Sequence, residues 1–555
     1  MNKHAGVHNR RLTMAAGLTV VLVFVLIITL PFLGQPLHVD DAIFWDFAKN
    51  SLENPAQLHL SDYYLKGEDV SIFRDTHPPV SWLYLSLIML AAGEKEMVLH
   101  AGFIVFPLIA GISMFFLARR FTRNALLATI LFLSTPLVMV MSHTLMGDLP
   151  MLAFWLAATA AYIYGVDKKD LSLLLLSGLL ATLAIFTGYQ ALALLVLLPG
   201  YALLKQGFSW RFYLPLLFPL AAFGLFTQYN LSAYGELPRF THVQGLSVQH
   251  DDVLGRFLGT LLRTGGISIF PVLLALLFSL RRKLYLILPV VLAGSAAIAF
   301  FGYGDNLPAS SSLLFTVFLT GAVMAVAAVV SELAAQSAHA IKRQAPDTDF
   351  VFLGLWMLVY MGLIIILLPH SSAKYILPIL APLILIFMRE LELGFSIPST
   401  LKTVSVITII VTAFSALVLS VADYKLAQVY KDYSLELRER HSPEGTVWFV
   451  GEWGFRHYME SEGYRYLTSA SSAPREGDII VKPGLMDWPL SESVNQRMEL
   501  IERTEVRRSL PVQNMDFQAN AGFYGNHWGL LPYVITSHPV ETFEVFHVGA
   551  GNTPS

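Results

Sequence analysis

Residues 12–33 read LTMAAGLTVVLVFVLIITLPFL and residues 80–93 read VSWLYLSLIMLAAG. The first run is long enough to cross a bilayer, because a hydrocarbon core of about 30 Å asks for about 20 apolar residues rising 1.5 Å each. It follows Lys3, Arg10 and Arg11 and lacks a small-residue cleavage site, so it reads as a retained first span rather than a signal peptide. The second run is too short to cross without mismatch and is entered through Pro78-Pro79. Whether it crosses decides the orientation of everything after it.

Further apolar runs fall at 98–118, 125–142, 150–166, 171–187, 188–204, 212–229, 266–280, 284–302, 312–331, 350–369, 375–388 and 401–421, making thirteen spans with the first. If 80–93 stays outside, the connections holding Arg119-Arg120-Arg123, Lys168-Lys169, Lys205 and Arg211, Arg281-Arg282-Lys283, Lys342-Arg343, and Arg389 and Lys402 all share the side of the basic N-terminus. Short loops rich in Lys and Arg mark the cytoplasm. A crossing 80–93 would invert every later loop, so this run is read as an interfacial or re-entrant helix on the outer face of the inner (plasma) membrane. Residues 422–555 then lie outside the cell membrane.

The chain has 555 residues, 55% of them hydrophobic and 14% charged, with a mean hydropathy of +0.57. These values exclude a soluble enzyme. A net charge of −3 without a basic tract argues against nucleic acid as partner. The absence of cysteine excludes disulfides, thiolate metal sites and Cys nucleophiles. The expected fold is an α-helical polytopic membrane domain over 1–421, including outer loops 34–97 and 230–265, followed by a small extracytoplasmic α/β domain over 422–555. The runs TVWFV (446–450) and DIIVK (478–482) supply strands for that second domain. None of the thirteen spans carries Asp, Glu, Lys or Arg in its interior. Ion-coupled transporters keep such charges at the midplane, so the pattern favours an enzyme working at the membrane surface.

Polar residues gather where spans meet the outer face. Asp40-Asp41 follow the first span and precede a helix expected over 42–52. One of them caps that helix, or the pair supplies a general base, an acceptor-activating carboxylate or a metal site. In Phe73-Arg74-Asp75-Thr76-His77-Pro78-Pro79, the prolines hold the preceding residues extended, so Asp75 and His77 point the same way. Asp148, in Ser142-His143-Thr144-Leu145-Met146-Gly147-Asp148-Leu149-Pro150, stands at a helix start on the same face. Lys374 and Tyr375, in Ser372-Ala373-Lys374-Tyr375-Ile376-Leu377-Pro378, sit at headgroup depth, either as interfacial anchors or as contacts to a lipid phosphate. In the loop 230–265, Arg239, His242, His250, Arg256 and Arg263 are surface charges or phosphate contacts.

The acidic pair after the first span, the D-T-H-P-P segment and the acid-Leu-Pro at 148–150 together resemble the GT-C class of membrane glycosyltransferases. Within it the chain is similar to glycosyltransferase family 39, which includes protein O-mannosyltransferases and lipid A aminoarabinose transferases. The Y-I-L-P stretch at 375–378, with Ala381-Pro382-Leu383 following, resembles the latter. The resemblance implies transfer of a sugar from a polyprenyl-phosphate-linked donor to a glycolipid, polysaccharide or protein on the outer face, with inversion. It also implies that Asp40, with Asp41, activates the acceptor, that Asp75, His77 and Asp148 line the substrate site, and that no metal cofactor is needed. A divalent cation is the alternative, for which Asp40, Asp41, Asp75 and Asp148 offer oxygen ligands. The chain departs from the mannosyltransferase pattern at His143, where an Arg is usual, and at Gly188, where relatives carry Lys after Thr187. His77, His143, Lys374 and Arg239 are then the candidates for stabilising the leaving phosphate. Two other readings stand beside this one: a non-catalytic lipid-binding or lipid-transport protein, and an oligosaccharide ligase using a diphosphate-linked glycan.

Overall fold

The computed structural model describes residues 2–55, 62–65, 68–71, 77–235, 253–267, 284–303, 307–394, 398–440, 445–468, 474–486 and 490–550. The apolar first run folds as the helix Asn2–Thr29, finished by a 3-10 turn Leu30–Phe32 that carries Pro31. Among the described residues, seven helices are long and apolar enough to cross a membrane: Met14–Phe32, Glu96–Phe121, Asp148–Lys168, Trp210–Ala233, Ala309–Ile341, Thr348–Leu367 and Lys402–Arg438. The chain is a multi-pass membrane protein.

The expected count of thirteen rests also on shorter apolar runs, several of which are interrupted for local reasons. The run 125–142 divides at Ser134-Thr135-Pro136 into Ala125–Leu133 and Pro136–Met141, with Thr135 capping the second helix through Val138 N. Proline at a helix start lacks the N–H that continuing the earlier helix would require. The run 188–204 opens as a 3-10 turn, Tyr189–Ala193, before the helix Leu194–Gln206. Most of 266–280 lies outside the described residues. The segment 80–93 is a 13-residue helix, Val80–Ala92, one of three shorter apolar helices picked out among the described residues.

The helix Asp148–Lys168 sets the scale of the bundle. Its 21 residues rise about 30 Å, with Asp148 at one end and Asp167 at the other. Its buried face presents Trp155 to Trp356 and Tyr360 of the helix Thr348–Leu367. At the Asp167 end the charges expected on one side do converge. Arg120 pairs with Asp167 and Asp349, Lys205 with Asp349, and Arg389 with Asp347. Asp40, Asp148 and Lys374 cluster at the far end of the same helix.

A 43-residue helix, Pro398–Arg440, runs without a break across residues 421 and 422, so no structural boundary falls at the position expected from composition. The first strand after it is Val447–Phe449. The C-terminal sheet has five strands in the order Arg465–Tyr466, Val447–Phe449, Ile479–Pro483, Glu541–Val548 and Met498–Val506, the first three parallel and the rest antiparallel. Glu541–Val548 alternates sides as a strand covered on one face must. Its Phe543 stacks at 3.6 Å on Tyr433 of the long helix. The short strands Val512–Gln513 and Val534–Ile535 lie against the helices Pro398–Arg440 and Ala309–Ile341, and Gly522 O accepts from Arg263.

Candidate active site

Asp40 stands at the N-cap of the helix Asp41–Glu53, yet its carboxylate makes no capping bond. It accepts instead from Lys374 Nζ at 2.5 Å. The same ammonium lies 3.8 Å from Asp148 Oδ2. Three residues far apart in sequence thus form one acid–cation–acid cluster, nearly closed to water: Lys374 is 5% exposed. Burial alone would lower the lysine's affinity for its proton, but Asp40 and Asp148 outweigh it and the pKa is raised. The two acids favour the charged form of Lys374, which is held inside the protein rather than snorkelling to the headgroups.

A cavity of about 220 Å³ opens beside it, and its lining includes the polar residues Asp148, Lys374, Tyr375, His77 and Gln190. The same lining is rich in apolar residues, among them Leu192, Val196, Leu363, Ile364, Leu367 and Leu368. Asp40 does not line this cavity; it stands behind Lys374. The helix entry at Asp148 is tight: a Cβ on Gly147 would lie 2.8 Å from Ser81 Oγ and 3.0 Å from Thr187 O. Glycine there lets the Asp148 turn, the Val80–Ala92 helix and the Thr187 segment meet. Tyr360, whose hydroxyl donates to Tyr375 O at 3.1 Å, also lines the cavity.

The remaining expected site residues fall in different places. Asp41 is fully buried and accepts backbone bonds from Leu145 N at 2.7 Å and His38 N at 3.2 Å; desolvation raises its pKa well above the ordinary range. It is a brace between two loops, not a group open to an acceptor. His143 is a correction: its ring stacks on Phe32 at 4.0 Å and its Nε2 lies 2.7 Å from Ile28 O, away from the cavity. Burial pushes its imidazole down to about 4, so it offers no cation to a phosphate. His77 lines the cavity against Phe44. Asp75, Arg239, His242 and His250 lie outside the described residues. Arg256 donates to Leu368 O, and Arg263, wholly buried, donates to Ser371 Oγ, Gly522 O and Gly529 O. Both arginines are spent on backbone and loop contacts.

Sequence reading missed Tyr360 and Gln190, and it also missed Asp423. Asp423 is buried within the long helix Pro398–Arg440 and accepts from Gln35, Asn514 and Tyr524, with His38 Nε2 at 3.4 Å. Its signal was present: an acid two residues past an apolar run, in Val421-Ala422-Asp423-Tyr424. Among the described residues no group of three or more His, Asp or Glu side chains is arranged to hold a metal. Lys374 occupies the position between Asp40 and Asp148 where such an ion would sit.

Residues 76–229 match the family model described as dolichyl-phosphate-mannose-protein mannosyltransferase. The match is shorter than half the chain, but it includes His77, Asp148 and the Thr187–Gln190 segment, and the resemblance read from the D-T-H-P-P and acid-Leu-Pro segments is borne out. No curated protein sequence matches the chain. Among solved structures, the archaeal oligosaccharyltransferase AglB from Archaeoglobus fulgidus, in complex with an inhibitory peptide and a dolichol-phosphate, is similar at 11% identity with a TM-score of 0.45, covering 85% of this chain and 69% of that one. ArnT from Cupriavidus metallidurans bound to undecaprenyl phosphate is similar at 14% identity and a TM-score of 0.38, covering 85% and 93%. The same ArnT in the apo state gives 13% identity and a TM-score of 0.39.

Proposed function

We propose that the chain is an integral-membrane glycosyltransferase that moves a sugar from a polyprenyl-phosphate donor to a hydroxyl acceptor at the outer face of the membrane. The observation that carries this reading is a buried ammonium, Lys374, within reach of Asp40 and Asp148 and lining a cavity that is otherwise largely apolar. A lipid phosphate is an amphiphile that matches both kinds of lining. Its apolar chain suits Leu192, Val196, Leu363, Ile364 and Leu367, and its phosphate suits Lys374, with His77, Gln190 and Tyr375 also in the lining.

The chemistry follows from the leaving group. As the acceptor oxygen bonds to the anomeric carbon, the bond from that carbon to the phosphate oxygen breaks, and the hydroxyl proton passes to a carboxylate. A polyprenyl phosphate departs as a stable anion, so it needs a cation and no proton. Lys374 supplies the cation. Asp40 is the base, and the direct displacement inverts the anomeric carbon. Asp148 lines the cavity itself and orients Lys374. The sugar arrives on the donor, and the choice among glycolipid, polysaccharide and protein belongs to the acceptor side of the site. The N-terminus is placed in the cytoplasm and the C-terminal unit outside, in line with the Lys and Arg distribution.

The test uses purified full-length protein in lipid nanodiscs, supplied with a panel of undecaprenyl-phosphate sugars and envelope acceptors, with transfer followed by mass spectrometry. Transfer lost in Asp40→Asn and Lys374→Ala supports the reading. Tight binding of undecaprenyl phosphate with no transfer across the panel, and no change in envelope glycans of a deletion strain, would return the chain to a lipid-binding or transport role.

A further inference from the structure

The segment that brings Asp40 to Lys374 is bent in an unusual way. Val39, immediately before Asp40, has φ +47°, a left-handed conformation that β-branched side chains resist. Such a turn persists only where its surroundings over-determine it. The restraints are on the page. Leu37 N donates to Tyr458 OH at 2.7 Å, and Gly454 packs so closely on Leu37 O that a Cβ would lie 2.2 Å from it. His38, fully buried, donates its backbone N–H to Asp41 Oδ2. Its ring meets Tyr524 edge-on at 5.4 Å and its Nε2 faces Asp423 Oδ1 at 3.4 Å. Asp423 in turn accepts from Tyr524 OH at 2.9 and 3.0 Å, from Asn514 Nδ2 and from Gln35 Nε2.

The Lys374 segment is held from the same place. Ala373 N donates to Phe523 O at 2.8 Å, and Ser372 Oγ donates to the same carbonyl at 3.3 Å. Arg263 ties Ser371 to Gly522 O and Gly529 O. Gly522 has no room for a side chain, since a Cβ would lie 2.2 Å from Gly525 O. Two consecutive residues of the C-terminal unit therefore touch both arms: Phe523 through the backbone beside Lys374, and Tyr524 through Asp423 beside Asp40.

We propose that the C-terminal unit is part of the transfer machinery, its Phe523-Tyr524 pair and Asp423 acting as positioning residues that set the distance between Asp40 and Lys374. The inference rests on the reading of Asp40 and Lys374 as the reacting pair. Tyr524 and Asp423 touch no substrate and act through the His38-Val39 turn. Positioning of this kind affects the rate more than donor affinity, because a displacement of about 1 Å costs up to about 100-fold in turnover, while the phosphate contact at Lys374 remains.

The absence of cysteine from the chain allows the distance to be read without enzymology. Full-length protein carrying Asp40→Cys with Lys374→Cys is treated with a short bis-thiosulfonate reagent, with and without Tyr524→Phe or Asp423→Asn. In parallel, the single Tyr524→Phe variant is assayed for transfer and for undecaprenyl phosphate binding. The expected result is a several-fold loss of crosslinking in both clamp variants, and a kcat about 10- to 100-fold lower in Tyr524→Phe with KM for the donor unchanged. Unchanged crosslinking and kcat, even with a lower melting temperature, overturns the inference and leaves the contacts as fold stability alone. Reduced crosslinking together with normal transfer by Asp40→Asn upholds the clamp but removes Asp40 as the base, so the two failures are told apart. Tyr524→Phe keeps the buried ring and removes one hydroxyl, so it tests the idea even if Asp423→Asn does not fold.

Discussion

Lys374→Ala separates a buried catalytic cation from an interfacial anchor. Read from sequence as a boundary lysine, its removal is expected to change stability by no more than about 0.5 kcal/mol, as for most surface changes. The structure revises that figure. Deleting one partner of a buried ion pair costs about 3–5 kcal/mol, because the charge left behind has no counter-ion. Here the Asp40 and Asp148 side chains keep 16% and 11% of their exposure, and water reaching them reduces the cost to about 2–4 kcal/mol. The deficit depends on pH with a definite sign. Without the ammonium the largely buried Asp40 carboxylate has lost its counter-ion, so protonation relieves the variant at low pH and the deficit grows as pH rises. Melting of the variant and the parent in nanodiscs at pH 5 and pH 8 checks this, together with undecaprenyl phosphate binding at a temperature where both are folded. Adding Asp40→Asn to Lys374→Ala should restore part of the melting temperature, since it removes one uncompensated charge. A Lys374→Ala protein that melts with the parent at pH 8 and transfers normally would refute both the ion-pair argument and the phosphate role.

Asp40→Asn should lower turnover by about 10²–10⁴-fold, the usual loss for a general base, while undecaprenyl phosphate binding, measured by quenching or native mass spectrometry, stays within a few-fold of the parent. His77→Ala should weaken that binding, because His77 lines the cavity and interacts electrostatically with Asp148; unaltered binding would take it out of the phosphate site. Glu541, buried among Gly484 N, Leu485 N, Thr542 N and the Tyr430 hydroxyl, has its pKa pushed up to about 7, chiefly by desolvation. An acid with a raised folded pKa stabilises below its unfolded value and loses that contribution as pH rises through about 7, up to about 3 kcal/mol. Glu541→Gln should therefore flatten the fall in melting temperature between pH 5 and pH 8, and an unflattened curve would assign the fall elsewhere. Reporter fusions at residue 345 should be cytoplasmic and fusions at residue 435 external; a cytoplasmic 435 fusion would reverse the orientation drawn from the Lys and Arg distribution.

Helical membrane architecture was legible because bilayer thickness imposes a length on apolar runs that no soluble fold requires. Counting spans was less secure, since apolarity does not show where Pro136 or the Tyr189–Ala193 turn interrupts a run. The acids were legible as a set because each sits just outside a span, and Asp40 and Asp148 do share one cation. What separates Asp40 from its neighbour Asp41 is not in the sequence. One carboxylate faces Lys374 and the other faces Leu145 N and His38 N, a division made by the left-handed turn at Val39. A valine carries no signal for positive φ, so that turn could not be foreseen. Nor could the C-terminal grip on both arms, which depends on backbone carbonyls at 522, 523 and 529 whose directions no side-chain pattern encodes.

Charge arithmetic within the cluster says why Asp40 stands behind Lys374 instead of in the cavity. Two carboxylates and one ammonium leave the resting site with one net negative charge when both acids are ionised, and the donor, a phosphodiester between sugar and polyprenyl chain, adds about one more. On the proposed reading the incoming phosphate and Asp40 compete for the same ammonium. A phosphate that wins shortens its own contact to Lys374 and loosens the ion pair to Asp40, so that carboxylate is released from the ammonium only once a donor is in place. The acid is thereby held inert until a leaving group is present to depart. That order of events needs Lys374 to stay charged throughout, which Asp148 secures from its other side.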